Sequence, residues 1–196
     1  MFKSTKPGQN GLTLIEMLIA LLITSIVGVS VAAGVQQILK LNSRNSDHQI
    51  VVNQLQNGTN SVSHETLQAK QVTPLKSDGT AKPLDTGKTT ISFNLLSLEQ
   101  LKISWTNWND NTTHQVVFSA TNISTNNYKL IQTTQIVASD GFTVISTTTT
   151  VAATNISSAN GNWDTYSRVL TFNITSQKGN STLSRTLQLI PRAAQQ

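Results

Sequence analysis

The residue in this chain best placed for unusual chemistry is a lone acid, Glu16, in apolar surroundings. It is the single charge between Leu12 and Val35, in a run of Leu, Ile, Val, Ala, Met and small residues. A carboxylate buried in a bilayer helix costs about 2.5–3.5 kcal/mol on insertion scales, less near the interface. An acid kept there either pairs with a cation or snorkels to the headgroups at the helix start. The other candidates are scattered. His48, His64 and His114 stand far apart, with no metal-ligand or triad spacing around them, and His64-Glu65 reads as a solvated pair on a helix. Asn107, Asn109, Asp110 and Asn111 bunch oxygen ligands in one loop, as calcium sites do, yet with one carboxylate and no EF-hand pattern. Trp105, Trp108 and Trp163 offer rings to a sugar or a protein partner, or else fill core and rim. Six Asn-X-Ser/Thr sequons follow from a composition of 21 Ser, 28 Thr and 18 Asn. Among 196 residues there is no cysteine, which excludes disulfides, thiol catalysis, Cys-ligated zinc and iron–sulfur clusters. No catalytic residue, cofactor or metal ligand is assigned, and the chain reads as a non-enzyme.

The element that must carry Glu16 is a membrane helix. After Glu16 come 19 uncharged residues, Met17–Val35, close to the ~20 that span a bilayer core. The preceding segment holds Lys3 and Lys6 and no acid, so the positive-inside rule keeps residues 1–11 in the cytoplasm. The chain after Lys40 is then translocated. Without those two lysines the net charge of +5 falls to +3, and the remaining cations are dispersed, so no nucleic-acid partner is expected. A conventional signal peptide could be cut after Val31-Ala32-Ala33, and an uncut anchor is also possible, but neither accounts for the acid.

The segment Gly11-Leu12-Thr13-Leu14-Ile15-Glu16, directly after a short basic leader and directly before the apolar run, resembles the class III signal of type IV pilins and pseudopilins. The resemblance implies cleavage by prepilin peptidase after Gly11, leaving Leu12 as the first mature residue and Glu16 as the fifth. It implies N-methylation of that first residue, which is commonly Phe in the family and Leu here. It further implies that Glu16 guides assembly, pairing with the new α-amine of a neighbouring subunit, since two opposite charges in a low-dielectric bundle stabilise each other and set register. Implied partners are prepilin peptidase, the cytoplasmic (inner) membrane and other pilins through the N-terminal helix. The implied location is a single-pass inner-membrane protein with its C-terminal domain outside, then a pilus or pseudopilus. Major subunits often carry a C-terminal disulfide loop; its absence here points toward a minor pilin of the PilW kind or pseudopilin J. The family's frequent helix-breaking proline is also missing, which leaves Gly28 and Gly34 as weak points or as small-residue packing sites.

Beyond the span, Val51, Leu55, Gly58, Val62, Thr66 and Ala69 fall on one helical face, and Pro74 ends the helix near Val72. Asn57-Gly58 is a turn dipeptide that could kink it. Residues 75–87 read as loop. From Lys88 on, seven segments alternate apolar and polar residues rich in β-branched types, separated by turn-like stretches including SSANGNWD, which spans residues 157–164. The expected fold is α+β: a long N-terminal α-helix, its first half transmembrane, packed on an antiparallel β-sheet in pilin-like fashion. The expected divisions are a leader at 1–11, a transmembrane and filament-core helix at 12–40, an amphipathic helix at 41–73 and a sheet domain at 74–196. The competing reading is an anchored or secreted β-rich domain that binds carbohydrate or a partner through its tryptophans.

Overall fold

The computed structural model describes residues 13–192. One helix of 55 residues, α1 (Leu14–Gln68), is followed by β1 (Gln71–Leu75), β2 (Thr90–Asn94), β3 (Gln100–Asn107), β4 (Thr112–Ser124), β5 (Asn127–Val137), β6 (Val144–Asp164), β7 (Val169–Lys178) and β8 (Ser181–Leu189). The strands form one eight-stranded antiparallel sheet in the order β1-β3-β4-β5-β6-β7-β8, with β2 paired to β6 off that path. This is the expected α+β, pilin-like architecture. Contacts divide the chain into two units, Met1–Ser43 and Arg44–Gln196, each described by itself.

In the second unit the last part of α1 lies on the sheet through the face the periodicity marks. Val51, Leu55, Gly58, Thr59, Val62 and Thr66 are its buried residues. They join Leu130 of β5, Ala153, Ile156 and Ala159 of β6, and Leu170, Phe172 and Ile174 of β7 among the buried residues of the unit. Thr59 and Thr66 enter this apolar stripe because their hydroxyls donate to the carbonyls one turn back, Leu55 O at 2.8 Å and Val62 O at 2.7 Å. Two longer contacts pin the helix: Gln132 Nε2 donates to Glu65 Oε1 at 2.9 Å, and the Thr154 amide donates to Gln54 Oε1 at 2.7 Å.

Gly58 does not kink the helix. α1 is continuous through Asn57-Gly58, and a Cβ at 58 would sit 2.8 Å from Ile174 Cδ1 and 3.2 Å from Ala153 Cβ. The glycine permits close approach of helix and sheet. Gly58→Leu is therefore expected to lower stability by about 1–3 kcal/mol through overpacking, although Leu is the better helix former. A thermal midpoint unchanged or raised would refute that packing.

The helix ends at Gln68, short of Val72, and the sequence reading of helix over 41–73 is corrected there. Residues Gln71–Leu75 instead pair with Gln100–Ser104 of β3. Pro74 is tolerated because β1 is an edge strand: its carbonyl accepts from Lys82 N at 2.9 Å on the outer side, where the missing N–H would also point. The stretch at 157–164 is also strand, not turn. Gly161 lies within β6 because a Cβ there would meet Thr171 O at 2.5 Å and the Phe93 ring at 2.6 Å. Asn155, with φ of 55°, marks the irregularity where β6 changes register against its neighbours.

Aspartates organise the turns. Asp110 accepts from the Thr112 hydroxyl and amide, Asp140 from the Thr143 hydroxyl and the amides of Thr143 and Phe142, and Asp164 from the amides of Ser167 and Tyr166. These bonds favour the charged form and hold the three carboxyls below the usual range. A depressed folded pKa gives stabilisation that is present above the unfolded value of about 3.9 and is lost as pH falls through the lower folded values. The thermal midpoint is thus expected to change little between pH 7 and about pH 5 and to drop below about pH 4. A midpoint that rises on acidification below pH 4 would contradict these bonds.

Candidate functional site

Gly11 and Leu12, the expected processing site, lie outside the described residues. Glu16 is described, and the structure gives it a local role that the sequence reading missed. Thr13 stands directly before α1, and its amide and its hydroxyl each donate to Glu16 Oε2 at 2.8 Å. The Glu16 amide in turn faces the Thr13 hydroxyl at 3.4 Å. This is a capping box: two donors at the start of a helix are satisfied by residues three apart. The Thr-X-X-Glu signature before an apolar run was present in the sequence at Thr13–Glu16. Both bonds from Thr13 land on Oε2, and Oε1 has no hydrogen-bond partner among the described residues.

The helix surface around Glu16 suits a lipid or helix environment. Every residue from Leu14 to Ser43 is exposed, including Leu14 at 81%, Leu21 at 71% and Val29 at 71%. In water such a surface would be strongly unfavourable, and it is long and apolar enough to cross a membrane. Its hydroxyls need no external partner. Thr24 donates to Ala20 O, Ser25 to Leu22 O and Ser30 to Ile26 O, at 2.7–2.9 Å. The helix runs unbroken across Gly28 and Gly34, and nothing lies within 4 Å of a Cβ placed at either. Both positions are open to the close approach of another helix.

The remaining candidate residues are dispersed by the fold. The oxygens of the 107–111 loop are engaged in turning the chain from β3 to β4: Asn107 Nδ2 donates to Asp110 Oδ2 at 3.1 Å, and the Asn109 amide donates to Asn107 Oδ1 at 3.2 Å. Among the described residues no three His, Asp or Glu side chains gather as a metal site. His64 is exposed, while Glu65 is largely buried and tied to Gln132, so the pair is not jointly solvated as the sequence suggested. The tryptophans do not form one platform. Trp163 is buried in the core, Trp105 is half-buried and stacked on His114 at 5.3 Å, and Trp108 is 76% exposed with Lys70 Nζ 5.4 Å from its ring centre.

A lipid-compatible helix opening on a capped glutamate, and running into a helix-on-sheet domain, defines a membrane-anchored protein of pilin-like build. Residues 6–32 match the prokaryotic N-terminal methylation motif, which contains Gly11, Leu12 and Glu16. The motif is that of prepilin-type processing and points to a structural subunit associated with the membrane. No curated protein and no solved structure matches the chain.

Proposed function

We propose that the protein is a minor pilin or pseudopilin, a structural subunit of a type IV pilus-like filament. Prepilin peptidase cuts after Gly11, Leu12 becomes the N-methylated first residue, and the subunit waits in the inner membrane with its sheet domain outside. On assembly, Glu16 of one subunit meets the Leu12 amine of a neighbour. The observation that carries this reading is the placement of one acid at the opening of the otherwise uncharged, wholly exposed apolar segment of α1 from Leu14 to Leu39, within the matched motif. An amine and a carboxylate that are each unfavourable in the bilayer compensate one another in a helix bundle. Oε1, which has no partner among the described residues, allows the pairing without loss of the capping bonds on Oε2.

The leader, the apolar span and the dispersed tryptophans together support this reading over a sugar-binding anchored domain. Shearing cells and collecting filaments tests it. The protein is expected in the sheared filament fraction, in small amount relative to the main subunit. Recovery only in the membrane, or only as free secreted protein, would refute a filament role.

A further inference from the structure

The sheet has one edge that is long, uncharged and uncovered. β7 pairs with β6 only from Ile156 onward, and Gln54 takes the Thr154 amide. From Val144 to Ala153, β6 has β5 on one side and no main-chain partner on the other among the described residues. Residues Val144–Val151 are all exposed, and Phe142 in the adjoining loop is 91% exposed. The two end strands of the β1-to-β8 path are protected. β1 carries Pro74 and is covered by the returning segment through Lys82 and the Leu75–Ala81 bridge. β8 carries Arg185, whose guanidinium reaches back to Thr59 on the helix, a charge turned inward from the edge. Along β5 and β6, from Leu130 to Trp163, the only charge is Asp140 in the connecting loop. An edge without Lys, Pro or inward charge is a template for another strand.

We propose that Ile145–Val151 is a homotypic docking edge, on which a second copy of this chain adds its own Ile145–Val151 antiparallel about a two-fold axis through Thr148. The sequence Ile-Ser-Thr-Thr-Thr-Thr-Val is close to its own reverse in character. In that register Ile145 faces Val151 of the other copy, Ser146 faces Thr150, Thr147 faces Thr149 and Thr148 faces its own counterpart, each pair on one face of the joined sheet. Every pair is β-branched or hydroxyl-bearing, of the kind that stabilises antiparallel neighbours, and the Thr133–Thr149 contact at 3.3 Å already shows one such pair within the chain. Docking onto β8 of another copy would instead bring Arg185 to an edge that offers it no acid. The isologous arrangement is also closed: each copy has one such edge, so pairing ends at two and does not propagate. The pairing does not depend on a filament role. Because subunits of one polar filament are related by a screw and not by a two-fold, it joins copies in the membrane or in different filaments.

The absence of cysteine makes the test direct, because single cysteines can be placed in the full-length protein in detergent micelles. Around the proposed axis, Thr148 lies about 5 Å from Thr148 of the other copy, while the two Val144 residues are eight rises apart, about 27 Å. A short bis-maleimide is therefore expected to yield cross-linked dimer with Thr148→Cys and little or none with Val144→Cys. Adding Thr147→Lys, which sets two like charges beside the axis, should reduce the Thr148→Cys yield at least tenfold while leaving the thermal transition unchanged. The proposal is overturned if Thr148→Cys gives no dimer, if Val144→Cys cross-links as readily, or if Thr147→Lys leaves the yield intact.

Discussion

Val62→Asp is expected to abolish the cooperative thermal transition of the sheet domain. Val62 is fully buried on the helix face that meets the sheet, as a member of the apolar core cluster. An aspartate there must either stay charged without a partner or take up a proton, and it loses the apolar burial of the valine as well. The combined effect is about 4 kcal/mol or more, against a total stability for such a domain of roughly 5–15 kcal/mol. Asn60→Asp, two residues away on the exposed side of the same turn, serves as the control and should leave the transition in place. The measurement is thermal unfolding of a fragment starting at Asn42. The contact division at Ser43/Arg44 supports its folding alone, and 155 residues exceed the size at which a core needs disulfides or metals. If that fragment aggregates while the full chain behaves in detergent, the stalk is part of the core.

Glu16→Ala has the opposite profile. Membrane insertion and the thermal transition of the sheet domain should be unchanged, because residue 16 is exposed and among the described residues bonds only to Thr13. Loss of the capping box costs about 0.5–2 kcal/mol at the first turn alone. Incorporation into filaments should fall at least tenfold, since the Leu12 amine of the neighbour would be left without its counter-charge. Glu16→Gln separates the two roles of the side chain. It keeps a hydrogen-bond acceptor for Thr13 but not the charge, so it should behave like Ala in assembly. Wild-type incorporation of both variants would reduce Glu16 to a helix cap.

The helix face was legible because burial on a sheet imposes a 3.6-residue period, and Val51, Leu55, Gly58, Val62 and Thr66 carry it without interruption. The strands after Lys88 were legible from alternation of β-branched residues, and their turns from Asp140-Gly141 and Gly179, which take φ of 76° and 54° at the glycines. The failures share one cause. In a local window glycine and proline signal breaks, whereas Gly58 and Gly161 are present for close approach of a side chain or backbone, and Pro74 sits on an edge where its N–H is not needed. Only the partner across the sheet distinguishes these cases, and no local window contains it. Burial of Glu65 was hidden for the same reason: its partner Gln132 is 67 residues away. The capping box, by contrast, lies wholly within Thr13–Glu16, where a local window contains both partners. The free edge of β6 follows from where β7 departs at Ile156, which is a property of topology and not of sequence pattern.

The central claim, that this chain is processed as a prepilin, is tested most directly by the amino terminus of the mature protein purified from cell membranes. Intact-mass measurement with terminal sequencing should find a chain beginning at Leu12 and bearing one methyl group on its α-amine. A chain beginning at Gly34 would show a conventional signal peptide, and one retaining Met1 would show a plain anchor; either result contradicts the account.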